Sequence, residues 1–293
     1  MDFEQYYQVM ENGEKWLFLP DEFNDSLLNV TFHSDLKIIS FGLIHNQIID
    51  DIIFPEGLRA IYFSTYFNQS LDNVKFPDSV ESLHFGFDFN QSLDNVKIME
   101  KINTLHLGEM FNKSLSNIKF NNLKVICISN NYILDTLAFV PELKIIEFKI
   151  GFSIPFHEVV LPDTIQAIYF SKSSSINFNF DKIIFPKSLI KLVLPLEKVT
   201  IKNRNNVFNS GYFNYNNSIK FPEQLQELSI GYTSENITNL PISMKKIFTI
   251  NEKNNLNNFQ KLPFGCVLYD INTNKILNTK DTVDLEIIYN YTS

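Results

Sequence analysis

The chain has 293 residues, of which 44% are hydrophobic, and it carries a formal net charge of -8 with a pI near 5.2. That apolar content is sufficient for a sizeable core and argues against disorder over most of the length. The acidic balance and the scattered lysines leave no cationic surplus to neutralise phosphates, which argues against nucleic acid and anionic membranes as partners.

The N-terminal segment from Met1 to Lys15 is acidic and polar, whereas a signal peptide would be basic and then apolar. No stretch of the sequence approaches the roughly 18 consecutive apolar residues of a membrane span. The two cysteines, Cys127 and Cys266, are far apart and form neither a CxxC nor a Cys/His spacing. They fit a reducing compartment, so we expect an intracellular, cytoplasmic protein.

An internal repeat dominates the first half of the chain. It reads Phe-Asn-x-Ser-Leu-x-Asn followed by Val or Ile, and its successive starts lie 22 residues apart. Copies begin at Phe23, Phe67, Phe89 and Phe111, with a degenerate copy at His45. We expect the second asparagine of each copy to stack in a column and to satisfy backbone groups of the turns. That column comprises Asn29, Asn73, Asn95 and Asn117.

A second motif, apolar-x-x-apolar-x-apolar, keeps the same period and continues after the first motif decays. Its ten copies begin at Leu36, Leu58, Val80, Ile102, Leu123, Leu143, Ile165, Leu189, Leu225 and Met244. A proline precedes several copies and marks the corner where the chain enters a strand, because proline cannot donate to a ladder. These prolines are Pro55, Pro77, Pro162, Pro186 and Pro222.

The spacing of the second motif fixes the expected architecture. Its last two apolar residues alternate with polar ones, which is the period of a strand with one buried face. A unit of this length leaves no room for a crossover helix of several turns, and stacked units share one continuous core. The sequence therefore predicts a β-rich, leucine-rich-repeat-like solenoid of about ten units, with one parallel sheet along one face and helix-poor connections.

Three regions follow from this period. We expect residues 1–22 to form an N-terminal cap, 23–263 to form the repeat solenoid, and 264–293 to form a C-terminal cap with a hairpin. The hairpin signal is Asn272-Thr273-Asn274 between two apolar runs. Pro186 and Pro222 are further apart than the period allows, so a loop of about 196–218 is inserted there.

The stretch His84-Phe85-Gly86-Phe87-Asp88-Phe89-Asn90-Gln91-Ser92-Leu93 resembles the FNIP repeat, a relative of the leucine-rich repeat found in social amoebae and giant DNA viruses. The resemblance extends from residue 23 to about residue 170, and for a viral protein it would imply the host cytoplasm. It implies a protein-interaction surface, and family members often carry an F-box that docks onto ubiquitin-ligase machinery. Leu19 to Phe23 resembles the start of an F-box, but Phe23 already opens the first repeat, so a recognisable F-box is absent.

One outward position recurs in every strand and gives the candidate binding surface. Parallel strands in register would place its side chains about 4.8 Å apart, so His84, His106 and Cys127 could converge on a metal ion. The same spacing also arises from copying one repeat, and a flat ladder lacks a second shell, so we predict contact with a protein instead. The candidate partner-binding residues are Tyr62, His84, His106, Cys127, Glu147 and Tyr169 on the strands, with Arg204 and Tyr212 on the inserted loop.

No nucleotide-binding, metalloprotease, nucleophile-elbow or calcium-loop motif occurs in the sequence, and an open sheet offers no pocket for catalysis. We therefore predict a non-enzymatic scaffold without cofactors. Its partner is a protein bound through the exposed strand face, in the manner of a substrate receptor. The alternative is a self-associating or structural protein that contacts other copies of itself.

Overall fold

The computed structural model shows two compact units, Met1–Phe152 and Ser153–Ser293. Within them the structure describes residues 3–129, 137, 140–149, 160–171, 184–194, 202–203, 206–207, 219–231, 233, 236–251, 256–259 and 261–277.

The first unit is a stack of short strands, each contributed by one repeat. An antiparallel pair, β1 and β2, opens the sheet, and β2 to β8 then pair in parallel with their sequence neighbours. The strands are β1 (Tyr7–Val9), β2 (Lys15–Phe18), β3 (Leu36–Ser40), β4 (Ala60–Tyr62), β5 (Ser82–His84), β6 (Thr104–His106), β7 (Val125–Ile128) and β8 (Ile145–Phe148).

The second unit repeats this arrangement. Its parallel strands are β9 (Ala167–Phe170), β10 (Lys191–Val193), β13 (Glu227–Ser229), β14 (Lys246–Thr249) and β15 (Val267–Asp270), and β11 (Lys202–Asn203) pairs with β12 (Asn206–Val207) in antiparallel. After β15 the chain turns back, so that the Leu277 N–H donates to the Leu268 carbonyl at 2.9 Å. Asn274 adopts a positive φ of 55° in this turn.

The predicted period is confirmed by the burial of the strands. Leu83, Leu105 and Ile126 pair with one another in register, and all three are fully buried. The described residues contain almost no helix, and their 3-10 helices are Glu4–Tyr6 and Lys97–Glu100. The fold is therefore the predicted parallel β-solenoid of leucine-rich-repeat type.

Aromatic rings from equivalent positions stack in columns through the core of the first unit. Phe67, Phe89 and Phe111 are buried, and their ring centroids follow one another at 6.2 and 6.1 Å. Such burial is worth about 1.5–3 kcal/mol for each ring. Two further columns run beside this one, made of Phe41, Phe63 and Phe85, and of Phe32, Phe54 and Phe76.

The prolines mark tight turns immediately before the strands, as the sequence indicated. The Pro77 carbonyl accepts a hydrogen bond from the Val80 N–H at 3.1 Å, and the Pro222 carbonyl accepts one from the Leu225 N–H at the same distance. Because the carbonyl of proline can accept while its nitrogen has no proton to donate, proline fits the first position of this turn.

The predicted asparagine column is wrong in position. Asn73 is exposed and its amide reaches the Asp50 carboxylate at 3.2 Å, so it satisfies no turn backbone. The ladder is formed instead by the first asparagine of each copy, where the Asn90 N–H donates to the Asn68 side-chain oxygen and the Asn68 N–H to that of Asn46, both at 2.9 Å. The first asparagine directly follows the buried phenylalanine, which turns its amide along the stack.

Candidate functional site

The outward residues of the strands in the first unit form one row. Tyr62 lies opposite His84 across neighbouring strands, and His84 lies opposite His106. Since each strand is buried on its other face, these side chains have only the outer face available. The strand strip of this unit comprises Ser40, Tyr62, His84, His106, Cys127 and Glu147.

The aromatic members of the strand strip stack on one another. The ring centroids of Tyr62 and His84 are 4.0 Å apart with an interplanar angle of 12°, and those of His84 and His106 are 4.1 Å apart. The Ser82 hydroxyl lies 2.7 Å from Nε2 of His84. All four side chains are half-buried by their neighbours, so the strip is a rigid surface and not a set of mobile side chains.

Both imidazoles are held uncharged at neutral pH. Burial, together with the neighbouring His106 and Lys149, lowers the pKa of His84 to about 3. Burial lowers the pKa of His106 to about 4, with Lys149 acting in the same direction. Neutral aromatic side chains such as Tyr62, His84 and His106 cost less to dehydrate than charged ones, which favours contact with another protein surface.

The predicted exposure of Cys127 is wrong, because its side chain is buried with 1% of its surface accessible. The larger side chains on both sides cover the small thiol. Its Sγ lies 3.4 Å from Nε2 of His106, and the thiol donates to the Glu147 carboxylate at 3.1 Å. Burial and the carboxylate of Glu147 raise the pKa of the Cys127 thiol, so it is a protonated thiol and a poor nucleophile.

His106, Cys127 and Glu147 are joined by direct contacts between their side chains. Across the part of the chain that the structure describes, no group of three or more His, Cys, Asp or Glu residues is arranged to hold a metal ion. The thiol would have to lose its proton to become a ligand, and the adjacent carboxylate opposes that loss.

In the second unit the same outward position starts with Tyr169 and Val193, which pair across β9 and β10. The Lys191 ammonium lies 5.7 Å from the centroid of the Tyr169 ring and 3.1 Å from the Glu227 carboxylate. The face around Tyr169 therefore carries charged side chains, whereas Tyr62, His84 and His106 of the strand strip are uncharged. Arg204 and Tyr212 lie outside the described residues.

Two aromatic residues at this position were missed by the sequence reasoning. Phe248 on β14 lies opposite Tyr269 on β15, and their ring centroids are 5.0 Å apart. Phe248 could have been found, since it occupies the outward position between Ile247 and Thr249 of the last repeat. Tyr269 could not, because the segment around it departs from the repeat spacing.

A membrane-spanning helix is not found in the described parts of the chain, where every helix is too short or too polar.

Comparison with known proteins agrees with this geometry. The FNIP Repeat family model matches residues 45–88 and 67–99. No curated protein matches the chain. The solved structure of CroV588 from a giant virus, described as a novel circular LRR protein structure, is similar over 90% of this chain with a TM-score of 0.54 and 22% identity. This chain covers 47% of that protein, about half of its length. Residues 45–99 thus match FNIP repeats, and the fold of the chain is leucine-rich-repeat-like.

Proposed function

We propose that this chain is a non-enzymatic scaffold that binds a protein partner through the strand strip. The observation that carries the proposal is the stacked row of Tyr62, His84 and His106, which is half-exposed and uncharged on a rigid sheet. Tyrosine and other aromatic groups held in this way are typical anchors of protein interfaces. Repeat folds of this kind are typical interaction scaffolds.

A catalytic role has little chemical support at this surface. Cys127, which lies beside His106, has a raised pKa and is covered, and the pKa values of His84 and His106 are too low for general base catalysis near neutrality. The strip can therefore recognise another surface more readily than it can transform a substrate.

The substrate-receptor role for a ubiquitin ligase is a finer proposal, and the F-box-like stretch gives it little support. Leu19 and Phe23 are buried in the core, and the Phe23 N–H donates to the Pro20 carbonyl at 3.0 Å. These side chains are thus committed to the first repeat. Docking onto a ligase through them would require that repeat to open.

The test is capture of partners from an extract of the native source on immobilised full-length chain, followed by mass spectrometry. The strip variant carries Tyr62→Ala, His84→Ala and His106→Ala, and we expect it to lose the captured protein while it stays folded at the temperature of the capture. Each lost anchor is expected to cost more than about 1 kcal/mol of affinity. Deletion of residues 203–214, which removes Arg204 and Tyr212, is expected to leave capture intact.

Loss of capture by the deletion with retention by the strip variant would move the site to the inserted loop. Retention by both variants would contradict the assignment altogether. The second candidate function is self-association, which is favoured by β1 lying at the edge of the first-unit sheet with Val9 exposed. A stable monomer at micromolar concentration in light scattering would rule that out.

A further inference from the structure

A second surface of the first unit lies just after the strands. After each of the strands β2 to β6, the third and fourth residues occupy equivalent places in successive repeats, and hydrogen bonds join their backbones. The Asp88 N–H donates to the Thr65 carbonyl at 2.9 Å, and the Met110 N–H donates to the Phe87 carbonyl at the same distance. These loops therefore form an ordered ladder beside the strand strip.

The loop backbones also pack closely on one another. A Cβ atom added to Gly86 would lie 2.0 Å from the Ser64 carbonyl oxygen, and one added to Gly108 would lie 1.9 Å from the Gly86 carbonyl oxygen. Only glycine permits such an approach. The side chains of the next residues, Phe87 and Met110 among them, are therefore presented from a fixed backbone.

These loop positions have an unusual composition. Ten residues from five consecutive loops occupy them, and apart from Thr65 they are either large and apolar or acidic, with no lysine or arginine. The apolar ridge comprises Leu43, Ile44, Tyr66, Phe87 and Met110, each exposed over 37% to 53% of its surface. The acidic positions are Asp21, Glu22, Asp88 and Glu109.

Burying these exposed apolar side chains would contribute a sizeable hydrophobic free energy to binding. Single exposed apolar residues are normal, but these five occupy two adjacent positions in four neighbouring loops, which places them along one row of the surface. Covering apolar surface is worth about 25 cal/mol for each Å² removed from water. The core of the first unit is complete without these side chains. Only contact with a second molecule would bury them.

We propose that the apolar ridge docks a basic amphipathic helix of the protein partner. This rests on the proposed function, since it defines the chemistry of the protein that the scaffold binds. Successive loops are about 4.8 Å apart, so the four loops of the ridge span about 14 Å. A helix rises about 5.4 Å in each turn, and three turns place one apolar side chain over each loop.

The acidic side chains beside the apolar ridge favour a basic helix over an acidic one. Lysine and arginine on the flanks of such a helix reach the carboxylates of Asp21, Glu22, Asp88 and Glu109, whereas an acidic helix would be repelled by all four. Exposed charges at the rim of an interface mainly speed association and are screened by salt. The interaction is therefore salt-dependent, while the apolar contacts set the rate of dissociation.

The probe is a labelled synthetic peptide with leucines along one helical face and lysines elsewhere, and binding to the full chain is followed by fluorescence anisotropy. A peptide with glutamate in place of lysine is the matched control. We expect the lysine peptide to bind at least tenfold more tightly, with a loss of affinity as salt rises. Equal binding of the two peptides, or no binding of the lysine peptide, would overturn the proposal.

Variants locate the peptide on the surface. Tyr66→Ser, Phe87→Ser and Met110→Ser combined are expected to weaken binding at least tenfold. The control combines Leu28→Ser, Ile48→Ser and Ile53→Ser, which removes equally or more exposed apolar side chains from other positions, and it is expected to bind normally. Asp21→Asn, Glu22→Gln, Asp88→Asn and Glu109→Gln combined are expected to weaken binding and to flatten its salt dependence.

If the ridge and control variants weaken peptide binding equally, the peptide binds nonspecifically to exposed apolar side chains, and the proposal is overturned. Loss of the peptide by the strip variant with normal binding by the ridge variant would place it on the strand strip, which contradicts the ridge and leaves the scaffold function standing. Ridge-dependent binding to phosphatidylcholine and phosphatidylserine vesicles, without binding of the lysine peptide, would identify a lipid surface and overturn the proposal as well.

Discussion

The side-chain oxygen of Asn68 accepts two hydrogen bonds from the next repeat, one from the Asn90 N–H and one from the Gln91 side-chain amide, both at 2.9 Å. The same pair of bonds links Asn46 to Asn68 and Gln69. The ladder thus satisfies a backbone donor that the helix-free corner of each repeat would otherwise leave without a partner.

Replacing Asn68 should therefore destabilise the first unit. Asn68→Ala leaves the half-buried Asn90 N–H without its acceptor, which we expect to cost about 1–3 kcal/mol in urea unfolding. Asn68→Asp keeps an acceptor oxygen and should recover much of that loss. Asn73→Ala is the control, because this exposed asparagine of the same repeat should change stability by less than about 0.5 kcal/mol. Equal effects of Asn68→Ala and Asn73→Ala would contradict the ladder.

More of the fold than of the surface could be predicted from the sequence. Leucine and phenylalanine at fixed spacing determine which face of each strand is buried, so the positions of Leu83 and Leu105 followed from the period alone. The burial of Cys127 did not, because it depends on how far the side chains of His106 and Glu147 lean over a small neighbour. Nor could the sequence distinguish which of two repeating asparagines turns toward the stack.

Leu105 tests the shared core directly. Leu105→Ala removes a fully buried side chain from the middle of the first unit, and core truncations of this kind cost about 2–5 kcal/mol. The matched substitution is Leu28→Ala, which makes the same change at a half-exposed leucine. It should alter the unfolding free energy by less than about 0.5 kcal/mol. A loss under about 0.5 kcal/mol for Leu105→Ala would show that the leucine is not core.

His45 occupies the position that phenylalanine holds in the other copies, and it is fully buried with neither ring nitrogen hydrogen-bonded. It stacks between Phe23 and Phe41, with ring centroids at 5.5 and 4.7 Å. His45→Phe should fit this column. We expect it to raise stability at pH 7 by about 1–3 kcal/mol, because the unsatisfied polar nitrogens are removed.

The pH dependence of the same variant gives a second readout. Burial lowers the pKa of His45 to about 4 from 6.5, so only the unfolded chain takes up its proton between these values. Stability contributed by the neutral imidazole is present above pH 6.5 and lost as pH falls toward 4. The advantage of His45→Phe over the wild type should thus grow by about 2 kcal/mol between pH 7 and pH 5. A constant advantage across this range would mean that His45 titrates normally.

Thiol reactivity tests the burial of Cys127. At pH 8 the folded chain should react slowly with Ellman's reagent, and the first thiol to react should be Cys266, which is less buried and whose pKa is raised to about 11 by burial. Cys266→Ser should remove this early phase, while Cys127→Ser should leave it unchanged. Both thiols should react at once in denaturant. Rapid labelling of Cys127 in the folded chain would restore the original prediction of an exposed thiol.

Gly86 tests the close packing of the loops. Gly86→Ala would place a Cβ atom 2.0 Å from the Ser64 carbonyl oxygen, so two neighbouring repeats must move apart, and we expect a loss of more than about 2 kcal/mol. Gly57→Ala is the control, because its new Cβ would lie 2.8 Å from the flexible end of the Lys37 side chain and would meet the nearest backbone oxygen, that of Ser34, at an ordinary contact distance of 3.6 Å. It should cost less than about 1 kcal/mol. Similar melting temperatures for the two variants would show that the loops can separate easily, and the apolar ridge would then lose its fixed backbone.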